Sequence, residues 1–199
     1  MAMRTMRLTL AVGVCAGMWV CALDPKAMIG KPPEGMSLYD RGTMERNGVK
    51  GTFFFCCDDR CNLAVNGKEI GASDGTRAAK ADMRVRPGSV ICVKVLYDGG
   101  GKGLALAFVS TNAKVSFAAS AEGWYEYTPT DEEKWADIAH VDKAGLKECQ
   151  QGPVNSYTLS VGAAAKVPCL QAIWGPSAGT TTYLLHVVTY ADLVGDRKK

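Results

Sequence analysis

Histidine is almost missing from this 199-residue chain: His140 and His186 are the only two, and neither has a second histidine near it in sequence. That scarcity excludes motifs in which paired histidines one helical turn apart hold a catalytic zinc. Cys57-x-x-x-Cys61 has the spacing of half a structural zinc site, but no second tight Cys/His pair completes the tetrahedral shell. A charge excess of one sign is lacking too, since 23 Lys and Arg face 20 Asp and Glu. A balanced surface provides no electrostatic footprint for nucleic acid or an anionic membrane, so neither is an expected partner. The short basic end Arg197-Lys198-Lys199 reads as a solvated terminus. Beyond residue 22 no apolar run approaches the about 20 residues that a membrane-crossing helix needs. Internal repeats and low-complexity tracts are also missing, so the chain reads as one domain large enough to bury a core.

What is present begins with a leader pattern. Arg4 and Arg7 precede an apolar stretch over residues 8–21, and small residues follow at cleavage spacing. Residues 1–22 therefore read as a secretory signal peptide, which implies a secreted, extracellular or periplasmic protein. Residues 23–52 read as a Pro-, Lys- and Gly-rich lead-in with a first strand, residues 53–191 as a β-sandwich domain, and residues 192–199 as a polar tail. Of eight cysteines, Cys15 and Cys21 fall in the leader. An even set of six in an exported chain predicts disulfides. Adjacent Cys56 and Cys57 point to opposite faces of a strand, so one is expected to pair near Cys61 and the other with a distant strand. Which does which is left open, and Cys92 reads equally well as a buried free thiol.

The densest information lies in residues 53–70, F-F-F-C-C-D-D-R-C-N-L-A-V-N-G-K-E-I. An apolar run leads into Asp58-Asp59, then an alternating strand, then Asn66-Gly67. Asn-Gly between strand-like runs predicts a two-residue hairpin, because a type I′ turn needs positive φ at both central positions. Farther on, residues 90–97 carry apolar side chains on nearly both faces, the mark of a central strand. Short strand patterns recur at 104–110, 115–118, 124–127, 157–161 and 180–190, separated by turn signals. One short helix is expected after Thr130, with Glu133 as its capping-box partner and Trp135, Ile138 and Ala139 on one face. The sum is an all-β fold: an antiparallel jelly-roll β-sandwich with one short helix.

The order Asp58-Asp59, Leu63-x-Val65-Asn66-Gly67-Lys68, then Pro87-Gly88 leading into Ile91-x-Val93-x-Val95 and a glycine turn resembles galactose-binding-domain-like β-sandwiches. These are the jelly-roll carbohydrate-binding modules attached to many glycoside hydrolases and lectins. Ala172-Ile173-Trp174-x-Pro176 resembles their C-terminal strand, with Leu185 where they carry Arg. The adhesin-type PA14-like β-barrel is a second resemblance, through its Asp-Asp before a hairpin. The first likeness implies a non-catalytic, lectin-like module whose partner is a carbohydrate or glycoprotein. Its ligand-binding residues would be Asp58, Asp59, Asn66 and Lys68, with Trp124 or Trp174 stacking on a sugar face. The second implies that Asp58 and Asp59 hold Ca²⁺, the one candidate cofactor. An extracellular structural or protein-interaction sandwich without a small ligand is the alternative.

Catalytic patterns fail on context. Gly175-Pro176-Ser177-Ala178-Gly179 fits the nucleophile-elbow pattern, the basis of a third reading as a small secreted serine hydrolase. That elbow needs a helix next, whereas a β-branched run follows. Residues 99–103 lack the Ser or Thr that follows lysine in a phosphate loop. Asp131, Glu132, Glu133 and Asp137 read as a favourable charge cluster at a helix start rather than carboxylates across a cleft. The expectation is therefore that the chain is not an enzyme.

Overall fold

Alternating apolar and polar residues build the strands, and strands buried on both faces build the centre. The structure, a computed structural model, describes residues 23–98, 103–167 and 170–194. In chain order the elements are α1 (Leu38–Asn47), β1 (Val49–Cys57), β2 (Arg60–Val65), β3 (Lys68–Ser73), β4 (Ala79–Val85), β5 (Val90–Leu96), β6 (Leu104–Ser110), β7 (Ser116–Ala118), β8 (Trp124–Tyr127), β9 (Lys147–Glu148), β10 (Gln150–Gly152), α2 (Ser156–Ala165), β11 (Ala172–Trp174), β12 (Thr181–Val187) and α3 (Tyr190–Val194).

They form two antiparallel sheets. Sheet one runs β10-β11-β6-β1-β4, with β7 also paired to β6; sheet two runs β3-β2-β5-β12-β8-β9. The chain passes repeatedly from one sheet to the other: β1 to β2, β3 to β4, β4 to β5 and β5 to β6 all cross. This traffic is compatible with a jelly roll, and the expected all-β sandwich is what the chain forms. Phe53, Phe55, Leu106 and Phe108 of sheet one meet Leu63, Ile91, Val93 and Leu184 of sheet two in a sealed inner layer. The Phe53 and Phe108 rings lie 5.0 Å apart, tilted. Each such buried side chain contributes about 1.5–3 kcal/mol.

Both outer faces are covered as well. On sheet one the small residues Cys56, Ala105 and Ala107 let α2 approach, and Val161 and Ala165 fill the contact. On sheet two Ala64, Cys92 and Leu185 are capped by Trp135, Ala136 and Val141 from the segment before β9. Hence β5 is buried on both sides, as its sequence predicts. No helix among the described residues is long and apolar enough to cross a membrane.

Several local expectations are revised. The helix expected after Thr130 is instead two 3-10 turns, Glu132–Lys134 and Ile138–His140, capped by Asp131 and Asp137. Each aspartate accepts the backbone N–H two residues on, which starts a turn and stops it from growing into an α-helix. Residues 157–161, expected as a strand, belong to α2. Asn155 accepts from Thr158 N while Thr158 Oγ1 accepts from Asn155 N, and this reciprocal box fixes a helix start. A further helix, α1, lies in the expected lead-in, capped by Ser37 and ended by Gly48 at φ 64°. The fold extends past residue 191, because Leu193 of α3 is buried in the inner layer.

The disulfide expectation is corrected for the described residues: Cys56, Cys57, Cys61, Cys92 and Cys149 are all free and buried. Cys92 is the buried thiol that its strand pattern allowed. Burial pushes the Cys92 and Cys149 thiols up to about 12, so both stay protonated and inert. Cys169 and the leader pattern of residues 1–22 lie outside the described residues.

Candidate functional site

β1 ends in sheet one and β2 begins in sheet two, so the two residues between them must bridge the layers. Asp58 and Asp59 make this arch. Asp59 takes φ 61°, a left-handed conformation that Asp tolerates. Its Oδ2 accepts the backbone N–H of Asp98 at 2.5 Å, while Asp58 N donates to Gly103 O at 3.0 Å. Partial burial, and then the charge of Asp59, hold the Asp58 carboxyl above its ordinary value.

Gly75, at φ 79°, presses against the arch from the β3–β4 loop; a Cβ there would stand 2.4 Å from Asp59 O. The left-handed φ and the close approach both require glycine. Beside the clamped loop opens a groove of about 830 Å³. Arg60, Asn62, Asp74, Arg77 and Lys80 line its walls, with Ala79 and Leu96 among the apolar lining residues. Arg60 pairs with Asp98 at 3.1 Å, and Asn62 donates to Glu69 Oε1 at 2.7 Å. The Thr76 hydroxyl and backbone N–H hold the Asp74 carboxyl below its ordinary value, with the charge of Arg77 adding to the effect. Lys80 Nζ stands 5.7 Å from the centre of the Phe54 ring. The groove therefore offers hydrogen-bonding groups of both kinds beside apolar lining residues, with an excess of cations.

The six side chains expected to share a ligand do not converge. Asn66 and Lys68 belong to the hairpin at the far end of β2, and a six-residue strand separates that end from the arch by roughly 20 Å. The hairpin itself is as predicted: Asn66 and Gly67 have φ 52° and 79°, and Val65 pairs with Lys68. The Asn66 side-chain carbonyl accepts Val90 N at 2.9 Å. Trp124 is 1 % exposed and stacks on His186 inside the sandwich, ring centres 5.1 Å apart, so no face is open to a sugar. Trp174 is half-buried on β11, its indole N–H bonded to Gln150 Oε1 at 2.8 Å. Only Asp58 and Asp59 remain beside the groove.

The donor set does not fit calcium. Asp59 already accepts a backbone N–H, and among the described residues no group of three or more His, Cys, Asp and Glu is placed to hold a metal ion. Calcium prefers six to eight oxygen ligands. Ser177 lies in a loop between β11 and β12, so a strand rather than a helix comes next. Lys147 Nζ donates to its Oγ at 3.0 Å, and Ser177 N donates to Glu126 Oε2 at 2.9 Å.

Sequence reasoning passed over the groove, because its walls come from β2, β5 and the β3–β4 connection. It also passed over the pairing of His186 with Asp192. His186 Nε2 lies 3.1 Å from Asp192 Oδ2, and Nδ1 lies 2.8 Å from Gly123 O. The signal available was a buried-strand histidine followed six residues later by Asp192, which also accepts from Thr189 N and Oγ1. No protein-family model, curated protein or solved structure significantly matches this chain.

Proposed function

We propose that this chain is an exported, non-catalytic module of galactose-binding-like type that binds carbohydrate or glycoconjugate in the groove beside the Asp58-Asp59 arch. The observation that carries the reading is the groove's lining: Asn62, Asp74 and Arg77 together with the apolar residues Ala79 and Leu96. Sugars need hydroxyl partners of both polarities together with an apolar surface for their C–H faces. No indole lines the groove, so affinity rests on hydrogen bonds and charge, and sugars bearing a carboxylate are favoured over neutral ones. A glycan array at neutral pH, run with and without chelator, tests this. Binding insensitive to chelator, and weakened about tenfold by Arg77→Ala, is the expected outcome. A blank array under both conditions would remove the carbohydrate reading.

A second reading, a structural or protein-interaction module without a small ligand, is favoured by the burial of Trp124 and Trp135. Buried indoles are unavailable as sugar platforms. Under this reading the array stays blank while a cross-linked protein partner maps to the groove or to the exposed side chain of Leu159 on α2.

A further inference from the structure

The β2–β3 hairpin carries a bond that its turn does not require. Asn66 and Gly67 form the two-residue tip, both at positive φ, and Val65 pairs with Lys68 across it. On its other side β2 pairs with β5, Val65 opposite Ile91, so the next step of that ladder sets Asn66 against Val90. There Asn66 N donates to Val90 O at 2.8 Å, and the Asn66 side-chain carbonyl accepts Val90 N at 2.9 Å. The side chain stands in for a backbone carbonyl and clasps the tip to β5.

Asn-Gly is also the dipeptide least hindered toward a backbone reaction. The Gly67 nitrogen can attack Asn66 Cγ: an N–C bond forms, the Cγ–Nδ2 bond breaks, and the amide proton leaves with the side-chain nitrogen as ammonia. Water then opens the cyclic imide at either carbonyl, giving Asp or isoaspartate. Both residues are exposed, so water reaches them. The space around Gly67 is open, since the nearest atom to a Cβ built there would be Ala136 O at 3.8 Å. The Val90 bond opposes attack. It turns the Asn66 carbonyl toward β5, whereas the Gly67 nitrogen lies in the turn that leads to β3.

We infer that Asn66 is a deamidation site gated by its clasp on Val90. The closed hairpin holds Cγ away from the Gly67 nitrogen, and reaction proceeds only through the opened hairpin. The two products differ in consequence. Asp at this position keeps an oxygen for Val90 N, and the hairpin recloses. Isoaspartate lengthens the backbone at the tip by one carbon, and a two-residue turn no longer fits the register of Val65 with Lys68. The modification is an irreversible record of opening at this end of the sandwich.

The test is peptide mass spectrometry of the whole protein held at pH 8, with isoaspartyl methyltransferase labelling to separate the two products. The same chain unfolded in guanidinium is the reference. Deamidation at Asn66 about tenfold or more slower in the folded protein is expected, because local opening costs free energy. Val90→Pro removes the donor at the first position of a strand, where proline is tolerated, and should bring the folded rate toward the unfolded one. Hydrogen exchange of the Val90 amide reads the same opening without a mutation, and its protection should match the slowing of deamidation. The proposal is overturned by equal rates in the folded and unfolded chain, by no reaction in the unfolded chain, or by a freely exchanging Val90 amide. An unchanged rate in Val90→Pro with its fold intact by circular dichroism overturns it too.

Discussion

Asn66 shows how much one residue can do. Its backbone adopts φ 52° for the hairpin, and its side-chain carbonyl takes the first amide of β5. The two roles separate by mutation. Asn66→Gly keeps the turn and loses the amide bond, at a cost of about 1 kcal/mol in urea unfolding; Asn66→Ala loses both and should cost about 1 kcal/mol more. The Asp192 carboxyl supplies a pH dependence. Burial pushes the Asp192 carboxyl up, but the His186 bond and the Thr189 donors outweigh it, and the net shift is downward from 3.8. A depressed carboxyl contributes stability above its unfolded value, and that contribution is lost as pH falls through the folded value. Asp192→Asn should therefore melt well below the natural protein at pH 7, with the gap closing below pH 3.8. Asn-Gly was legible because its meaning is local. The stacking of His186 on Trp124 was not, because Trp124 comes from another strand.

At the scale of elements, the lesson is in α2. Tyr157, Thr158 and Val161 favour strands, yet the Asn155 and Thr158 box, Leu159 and the alanines at 163–165 make a helix. Packing then selects one face: Val161 is fully buried and Leu159 is 63 % exposed. Val161→Ala should cost about 2 kcal/mol through lost contact with sheet one, whereas Leu159→Gln should change stability by no more than about 0.5 kcal/mol, both by thermal unfolding. A strand over the same residues would not place 159 and 161 so, since alternate residues on a strand share a face. The segment around Trp135 errs the other way. Its apolar residues do cover a sheet, as a helical face would, but aspartates at 131, 137 and 142 each cap a single 3-10 turn.

Across the whole molecule, the crossing of β1 to β2 decides what can share a ligand. A hairpin there would have kept both strands in one sheet; the arch instead sends them to facing sheets and sets Asp58-Asp59 and Asn66-Gly67 at opposite ends of the sandwich. The same layering seals the thiols. Cys92 lies in the outer layer of sheet two and Cys149 at the inner layer, each pushed up to about 12 by burial. Iodoacetamide at pH 8 should leave both unmodified in the native protein and label both in guanidinium, read by peptide mass spectrometry. Labelling of either in the folded state would contradict the four-layer burial.

The amino-acid order alone determined the two-residue hairpin, the doubly buried β5 and the all-β class, because each follows from periodicity and turn chemistry within a few residues. The grouping of Arg60 with Arg77 and of His186 with Trp124 was decided only in the folded molecule. Those neighbours lie on separate strands and loops, and nothing short-range in the chain encodes which edges two packed sheets bring together.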